Sequence, residues 1–130
     1  MKSYYIKLFL RIALALGFLS AVADRLGLWG QEVSVWGNWQ NFQTYTQSLV
    51  PYMPEVFIPF IAIIITLMEV VLALLLIIGF RIKITALVSG YLLLVFAVSM
   101  TLFYGIKGTF DYAVFTAAAA AMGLSTLSDQ

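Results

Sequence analysis

Long apolar runs alternate with short polar stretches along this chain. Charged and turn-forming residues separate four such runs, at about 6–28, 56–80, 84–106 and 110–128. A helix that crosses a bilayer needs roughly 17–25 mostly apolar residues, which the first three runs exceed and the fourth only just meets. Because isolated strands cannot satisfy their backbone hydrogen bonds in lipid, the runs are predicted to be helices. The pattern therefore predicts an all-α fold, a transmembrane four-helix bundle that forms a single domain over 1–130.

The stretch 29–55, between the first and second runs, is polar but rich in aromatic residues. Trp39, Phe42, Thr46 and Leu49 recur at helical spacing, with glutamine and asparagine between them. This periodicity predicts a short amphipathic helix that lies in the membrane interface within the first outer loop.

The aromatic residues of this loop have two interpretations. They form either a belt that anchors the protein at the headgroup level or a lid over a cavity among the spans. The candidate lid residues are Trp36, Trp39, Phe42 and Tyr45.

Composition changes the picture by excluding a soluble monomer and several kinds of chemistry. Of 130 residues, 63% are hydrophobic and 10% are charged, against about half and a quarter in an ordinary soluble domain. The lipid bilayer is therefore the expected environment. The chain has no cysteine and no histidine, so we expect no disulfide, thiol relay or metal site. A net charge of +1 gives no basic surface for nucleic acid.

The basic residues predict the orientation in the membrane. An even number of spans places five of them at one end of the bundle: Lys2, Lys7, Arg11, Arg81 and Lys83. The opposite end has only two, Arg25 and Lys107. The positive-inside rule therefore predicts that both termini are cytoplasmic.

Glu69 is the most informative residue because it lies near the middle of the second apolar run. A charged side chain at this depth costs on the order of 3 kcal/mol, so it usually faces the bundle interior, where it is either protonated or has a cationic partner. Arg11, inside the first run, is the predicted partner, across a depth difference of roughly 8 Å that a long arginine side chain can bridge. Thr66 lies on the same helical face as Glu69.

Three roles for this buried acid stay open on the sequence. The Glu69–Arg11 pair fixes helix register, or it forms with Thr66 a site for a polar ligand or a quinone headgroup, or it belongs to a proton or ion path. We expect no residue of this chain to be catalytic by itself.

A second polar cluster is expected at the outer ends of the spans. Its members are Asp24, Arg25, Lys107 and Asp111. They are interpreted either as solvated end charges, which contribute little stability, or as an outer gate or partner contact.

The order of several motifs resembles the DoxX family. The stretch 10–19 resembles that family's opening span, and 39–46 resembles its aromatic outer loop. Glu69 followed by 74–80 is similar to its second span, and 123–129 is similar to its tail. The resemblance covers nearly the whole chain.

This resemblance implies a four-helix protein of the bacterial inner membrane. Some members are subunits of thiosulfate:quinone oxidoreductase, and others accompany membrane redox or detoxification complexes. Arg11 and Glu69 match the family's recurring polar positions. The expected function is an accessory subunit of a quinone-linked redox complex that binds a quinone or similar amphiphile near Glu69 and docks a redox partner.

Two other functions remain as alternatives. One alternative is a non-catalytic scaffold or assembly factor. The other is a proton-coupled transporter of small molecules, which the small size and the unbroken helices favour less. The alanine-rich face of the fourth run also allows a homodimer, although it can equally pack within the bundle.

Overall fold

The computed structural model describes residues 2–128, and within them it is entirely helical, without strands. The side chain of Lys2 and the tail residue Asp129 lie outside the described part. The helices are α1 (Lys2–Arg25), α2 (Trp39–Leu49), α3 (Ile58–Ile78), α4 (Ile82–Tyr104), α5 (Ile106–Asp111) and α6 (Val114–Leu127). A single 3₁₀ turn, Glu55–Phe57, leads into α3.

Within residues 2–128, three helices are long and apolar enough to cross a membrane: α1, α3 with its preceding turn, and α4. Their outward side chains are large and apolar, as on α3, where Phe60, Ile64 and Leu67 are all more than half exposed. Such surfaces are compatible with lipid and unfavourable in water, so we conclude that this is a membrane protein.

The fourth predicted span is shorter than expected. A break at Ala113, which has a positive φ of 56°, separates α5 from α6. The 14 residues of α6 extend about 21 Å, less than the roughly 30 Å of a hydrocarbon core. Alanine gives no sequence signal for such a break, because left-handed backbone is normally marked by glycine or asparagine.

The helix ends follow local sequence signals elsewhere. Pro59 lies in the first turn of α3, where its missing N–H is tolerated. Gly79 ends α3 with a φ of 86°, and its N–H donates to the carbonyl of Leu75 at 2.8 Å. Asn38 caps α2 by accepting a hydrogen bond from the Asn41 N–H at 2.8 Å.

Small residues allow the helices to pack closely. The most extensive contacts join α4 to α6 and α1 to α3, and smaller ones join α1 to α6 and α3 to α4. The core contains fully buried alanines of four different helices: Ala15, Ala73, Ala86 and Ala121. Gly90 of α4 lies so close to the Met122 side chain of α6 that an added Cβ would come within 3.0 Å of it.

Arg11 fastens α1 to the end of α3. Its Nε donates to the carbonyl of Leu76 at 2.8 Å, and its Nη2 donates to that of Ile77 at 3.0 Å. These carbonyls have no partner within their own helix, and the negative end of the helix dipole favours a cation there.

Gly79 leaves the space that this contact needs. Replacing it with alanine would place a Cβ 2.6 Å from Arg11 Nη2 and would force a side chain into left-handed backbone. We expect Gly79→Ala to lower the free energy of unfolding by about 1–2 kcal/mol, measured by circular dichroism during SDS titration in mixed micelles.

Gly123→Ala is the matched control. Gly123 lies within α6, and an added Cβ has no atom within 4 Å. This variant should be as stable as the wild type or more stable by about 0.5–1 kcal/mol. A Gly79→Ala protein with unchanged stability would contradict the role given to the Arg11 contact.

Candidate functional site

The centre of the site is an ion pair between the end of one helix and the middle of another. Glu69 lies eleven residues after Ile58, about 16 Å along α3, and is 3% exposed. Arg25, the last residue of α1, is 1% exposed. Arg25 Nη1 donates to Glu69 Oε1 at 3.1 Å, and Nη2 donates to Oε2 at 3.4 Å. The two charges therefore meet inside the protein.

Thr66 is the second acceptor of the arginine. Its Oγ1 lies 2.8 Å from Arg25 Nη1, one turn of α3 nearer the start of the helix than Glu69. A planar guanidinium matches this arrangement, because both Nη atoms can face one carboxylate while one of them also reaches a hydroxyl.

Aromatic rings cover the guanidinium. The centre of the Phe42 ring lies 3.8 Å from Arg25 Cζ, and that of Trp36 lies 5.1 Å from it. The two rings contact each other edge to face, with centroids 5.0 Å apart. This cover excludes water and adds a cation–π attraction, which is strongest when the cation is desolvated.

Asp24 holds the covering loop in place. Its carboxylate accepts three backbone hydrogen bonds, from Val35 at 2.7 Å, Trp36 at 2.8 Å and Gly37 at 2.9 Å. Successive residues of a helix point about 100° apart, so Asp24 can face the loop while Arg25 faces α3.

An elongated groove of about 800 Å³ opens beside this ion pair. Residues of α1 and α6 line most of it, and several of them are small, among them Ala13, Gly17, Ala117 and Ala120. It runs along α1 from Leu10 to Arg25, about 22 Å. The polar residues Asp24, Arg25, Trp36, Tyr45, Glu69 and Tyr112 also line it. The groove is therefore apolar along most of its length and has its charged groups together at the end of α1.

Tyr45 contributes a neutral hydroxyl near this end. Its ring stacks on Tyr104 of α4, with centroids 5.6 Å apart and an interplanar angle of 25°. Burial raises the pKa of the Tyr45 hydroxyl to about 12, and the neighbouring Tyr104 and Tyr112 act in the same direction. The phenol is therefore protonated at neutral pH. The hydroxyl of Tyr104 is hydrogen-bonded to Ser48 of α2.

The predicted pair of Arg11 with Glu69 is wrong. Arg11 binds the carbonyls of Leu76 and Ile77, and Glu69 binds Arg25. The prediction assumed that Arg25 would lie at the outer surface, beyond reach of mid-membrane. In the structure α1 ends at Arg25 rather than at 28, and the side chain points back to Thr66 and Glu69.

The predicted outer cluster of four charges does not form. Lys107 and Asp111 make an exposed ion pair within α5 at 2.6 Å. Asp24 and Arg25 are buried and have other partners. Among the described residues, neither Asp24 nor Arg25 therefore pairs with Lys107 or Asp111.

The predicted amphipathic helix is present as α2, and it packs on the protein. Phe42, Thr46 and Leu49 are buried against the rest of the chain. Trp36 and Tyr45 line the groove, whereas Trp39 contacts Phe42 from outside it, with ring centroids 5.5 Å apart. This arrangement favours the lid over the aromatic belt.

Sequence reasoning missed Arg25 as the partner of Glu69. A usable signal was present, because Asp24 and Arg25 fall inside the predicted span 6–28, where charged side chains require partners.

Comparisons with known proteins found no match: no family model, curated protein or solved structure is significantly similar to this chain. Within residues 2–128, no group of three or more potential metal ligands comes together.

Removing either partner of the ion pair should be far more harmful than removing both. Arg25→Met or Glu69→Met leaves one buried charge without a partner, which costs about 3–5 kcal/mol, whereas the double variant leaves none. The loss of unfolding free energy in the double variant should be smaller than in either single variant, measured by the same SDS titration.

Lys107→Met is the control, since it removes one partner of an exposed pair and should cost less than about 1 kcal/mol. Additive losses from Arg25→Met and Glu69→Met would show that the two charges are not coupled.

Proposed function

We propose that this protein binds an amphiphilic molecule, such as a quinone, in the groove between α1 and α6. The observation that carries the proposal is the shape and polarity of the groove. It is about 22 Å long, is apolar along most of that length, and has a single polar end at Arg25 and Glu69. A molecule with one polar headgroup and one long chain matches both properties.

The proposal places the protein in the bacterial inner membrane, with four helices in a bundle and both termini cytoplasmic. Charge placement supports this orientation. Arg11 lies against the end of α3, on the same side as Arg81 in the turn before α4 and Lys83 in the first turn of α4. Lys107 lies at the other end, after α4.

A redox setting is the finer part of the proposal. The motif order that resembles the DoxX family supports an accessory subunit beside a redox partner. The chain has no cysteine or histidine and no cluster of metal ligands in its described part. In this proposal the chain holds the amphiphile, while electron transfer belongs to the partner.

A structural scaffold is the second candidate function. It is favoured by the observation that both oxygens of Glu69 are already bound by Arg25. In this alternative the ion pair joins α1 to α3, and no ligand is needed to satisfy the carboxylate.

Filling the groove distinguishes the two functions. The protein is purified in nanodiscs that contain native membrane lipids, and the bound small molecules are extracted and identified by mass spectrometry. Gly17 lines the groove, and a Cβ there has no atom within 4 Å. Gly17→Leu should therefore reduce the amphiphile that co-purifies at least fivefold, because its side chain occupies the apolar length.

Gly123→Leu is the matched control, since Gly123 is also helical with open space and does not line the groove. It should retain the amphiphile. An equal content of bound amphiphile in the wild type and in Gly17→Leu would favour the scaffold.

A further inference from the structure

The polar end of the groove contains two buried N–H groups without a partner. Arg25 Nε and Trp36 Nε1 are the two buried side-chain polar atoms that lack a hydrogen bond among the described residues. Both residues line the groove. A buried donor left unpaired costs about 1–3 kcal/mol, so two of them at one place are a strong indication of a ligand group.

The neighbouring carboxylates are already paired. Each carboxylate oxygen of Glu69 accepts from Arg25, and those of Asp24 accept from three backbone N–H groups. The two buried groups of the described part that lack a partner, Arg25 Nε and Trp36 Nε1, are both donors. A ligand that completes this site must supply an acceptor.

Charge decides which acceptor fits. The positive charge of Arg25 is offset by Glu69, and Asp24 lies beside them. The cation of α5, Lys107, is exposed and paired with Asp111. An anionic headgroup would enter a water-poor site at which the described residues place no unpaired cation, which is costly. A neutral acceptor meets no such penalty.

On these grounds we infer that the bound headgroup is a neutral carbonyl, whose oxygen accepts from Arg25 Nε and Trp36 Nε1 together. A carbonyl oxygen has two lone pairs and no proton that would itself need an acceptor. The two donors belong to side chains that contact each other, since the guanidinium carbon of Arg25 lies 5.1 Å from the centre of the Trp36 ring. The inference rests on the proposed function and adds the headgroup class to it.

Three probes of equal chain length test the headgroup: 2-dodecanone, dodecanoic acid at pH 8, and dodecane. Their binding to the full chain in nanodiscs is measured by equilibrium partition of isotope-labelled probe, with empty nanodiscs subtracted. We expect the ketone to bind at least fivefold more tightly than the other two. The infrared C=O stretch of the bound ketone should shift to lower wavenumber than in empty nanodiscs, because its oxygen accepts hydrogen bonds.

Trp36→Phe keeps the ring and removes the N–H group. It should weaken ketone binding about fivefold, as expected for the loss of one hydrogen bond, and should reduce the infrared shift. Dodecane binding should be unchanged. Trp39→Phe is the matched control, since Trp39 does not line the groove, and it should bind all three probes as the wild type does.

The outcomes separate this inference from the proposed function. If all three probes bind the wild type equally and Gly17→Leu blocks them, the groove binds chains and the carbonyl inference is wrong. If no probe binds the folded wild type, both proposals are wrong. If Trp36→Phe does not fold, the three wild-type affinities and the infrared shift decide the question. Tighter binding of the acid than of the ketone would also overturn the inference.

Discussion

The position of a buried carboxylate determines much of this structure. Glu69 lies near mid-helix in α3, where its charge is costly in lipid, and a cation reaches it from a neighbouring helix. The cation comes from the last residue of α1, which ends beside Thr66 instead of extending to the start of α3. Because α1 ends early, the polar end of the helix needs a cover, and the loop and α2 provide it.

The two neighbouring residues at the end of α1 divide this task. Arg25 pairs with Glu69 of α3, and Asp24 accepts hydrogen bonds from three N–H groups of the loop that carries Trp36. The same loop places Trp36 over the guanidinium, and α2 adds Phe42. The cover and the ion pair therefore stabilise each other. The aromatic rings keep water from Arg25 and Glu69, and Asp24, next to Arg25, holds the loop that carries Trp36.

Sequence patterning predicted the positions of the helices along the chain better than their alignment against one another. The apolar runs and the spacing of Trp39, Phe42, Thr46 and Leu49 located α1 to α4 within a few residues, because hydrophobic periodicity is a local property. An inward-facing Glu69 followed from the cost of its charge. The identity of its partner did not follow. Which arginine reaches Glu69 depends on the register of α1 against α3, a tertiary property that no local pattern contains. The break at Ala113 was equally invisible, since alanine rarely adopts left-handed backbone.

The alanines of α6 show how one simple sequence can serve two purposes. Ala118 and Ala121 are buried in the packed interior, where their small size lets helices approach closely. Ala117 and Ala120 face the groove together with Gly17 and Ala13 of α1. On this second side, small residues of both helices oppose each other, so neither fills the space between them. Small residues therefore tighten the packing on one side of α6 and leave the apolar groove open on the other. The Arg25–Glu69 pair gives that groove a polar end.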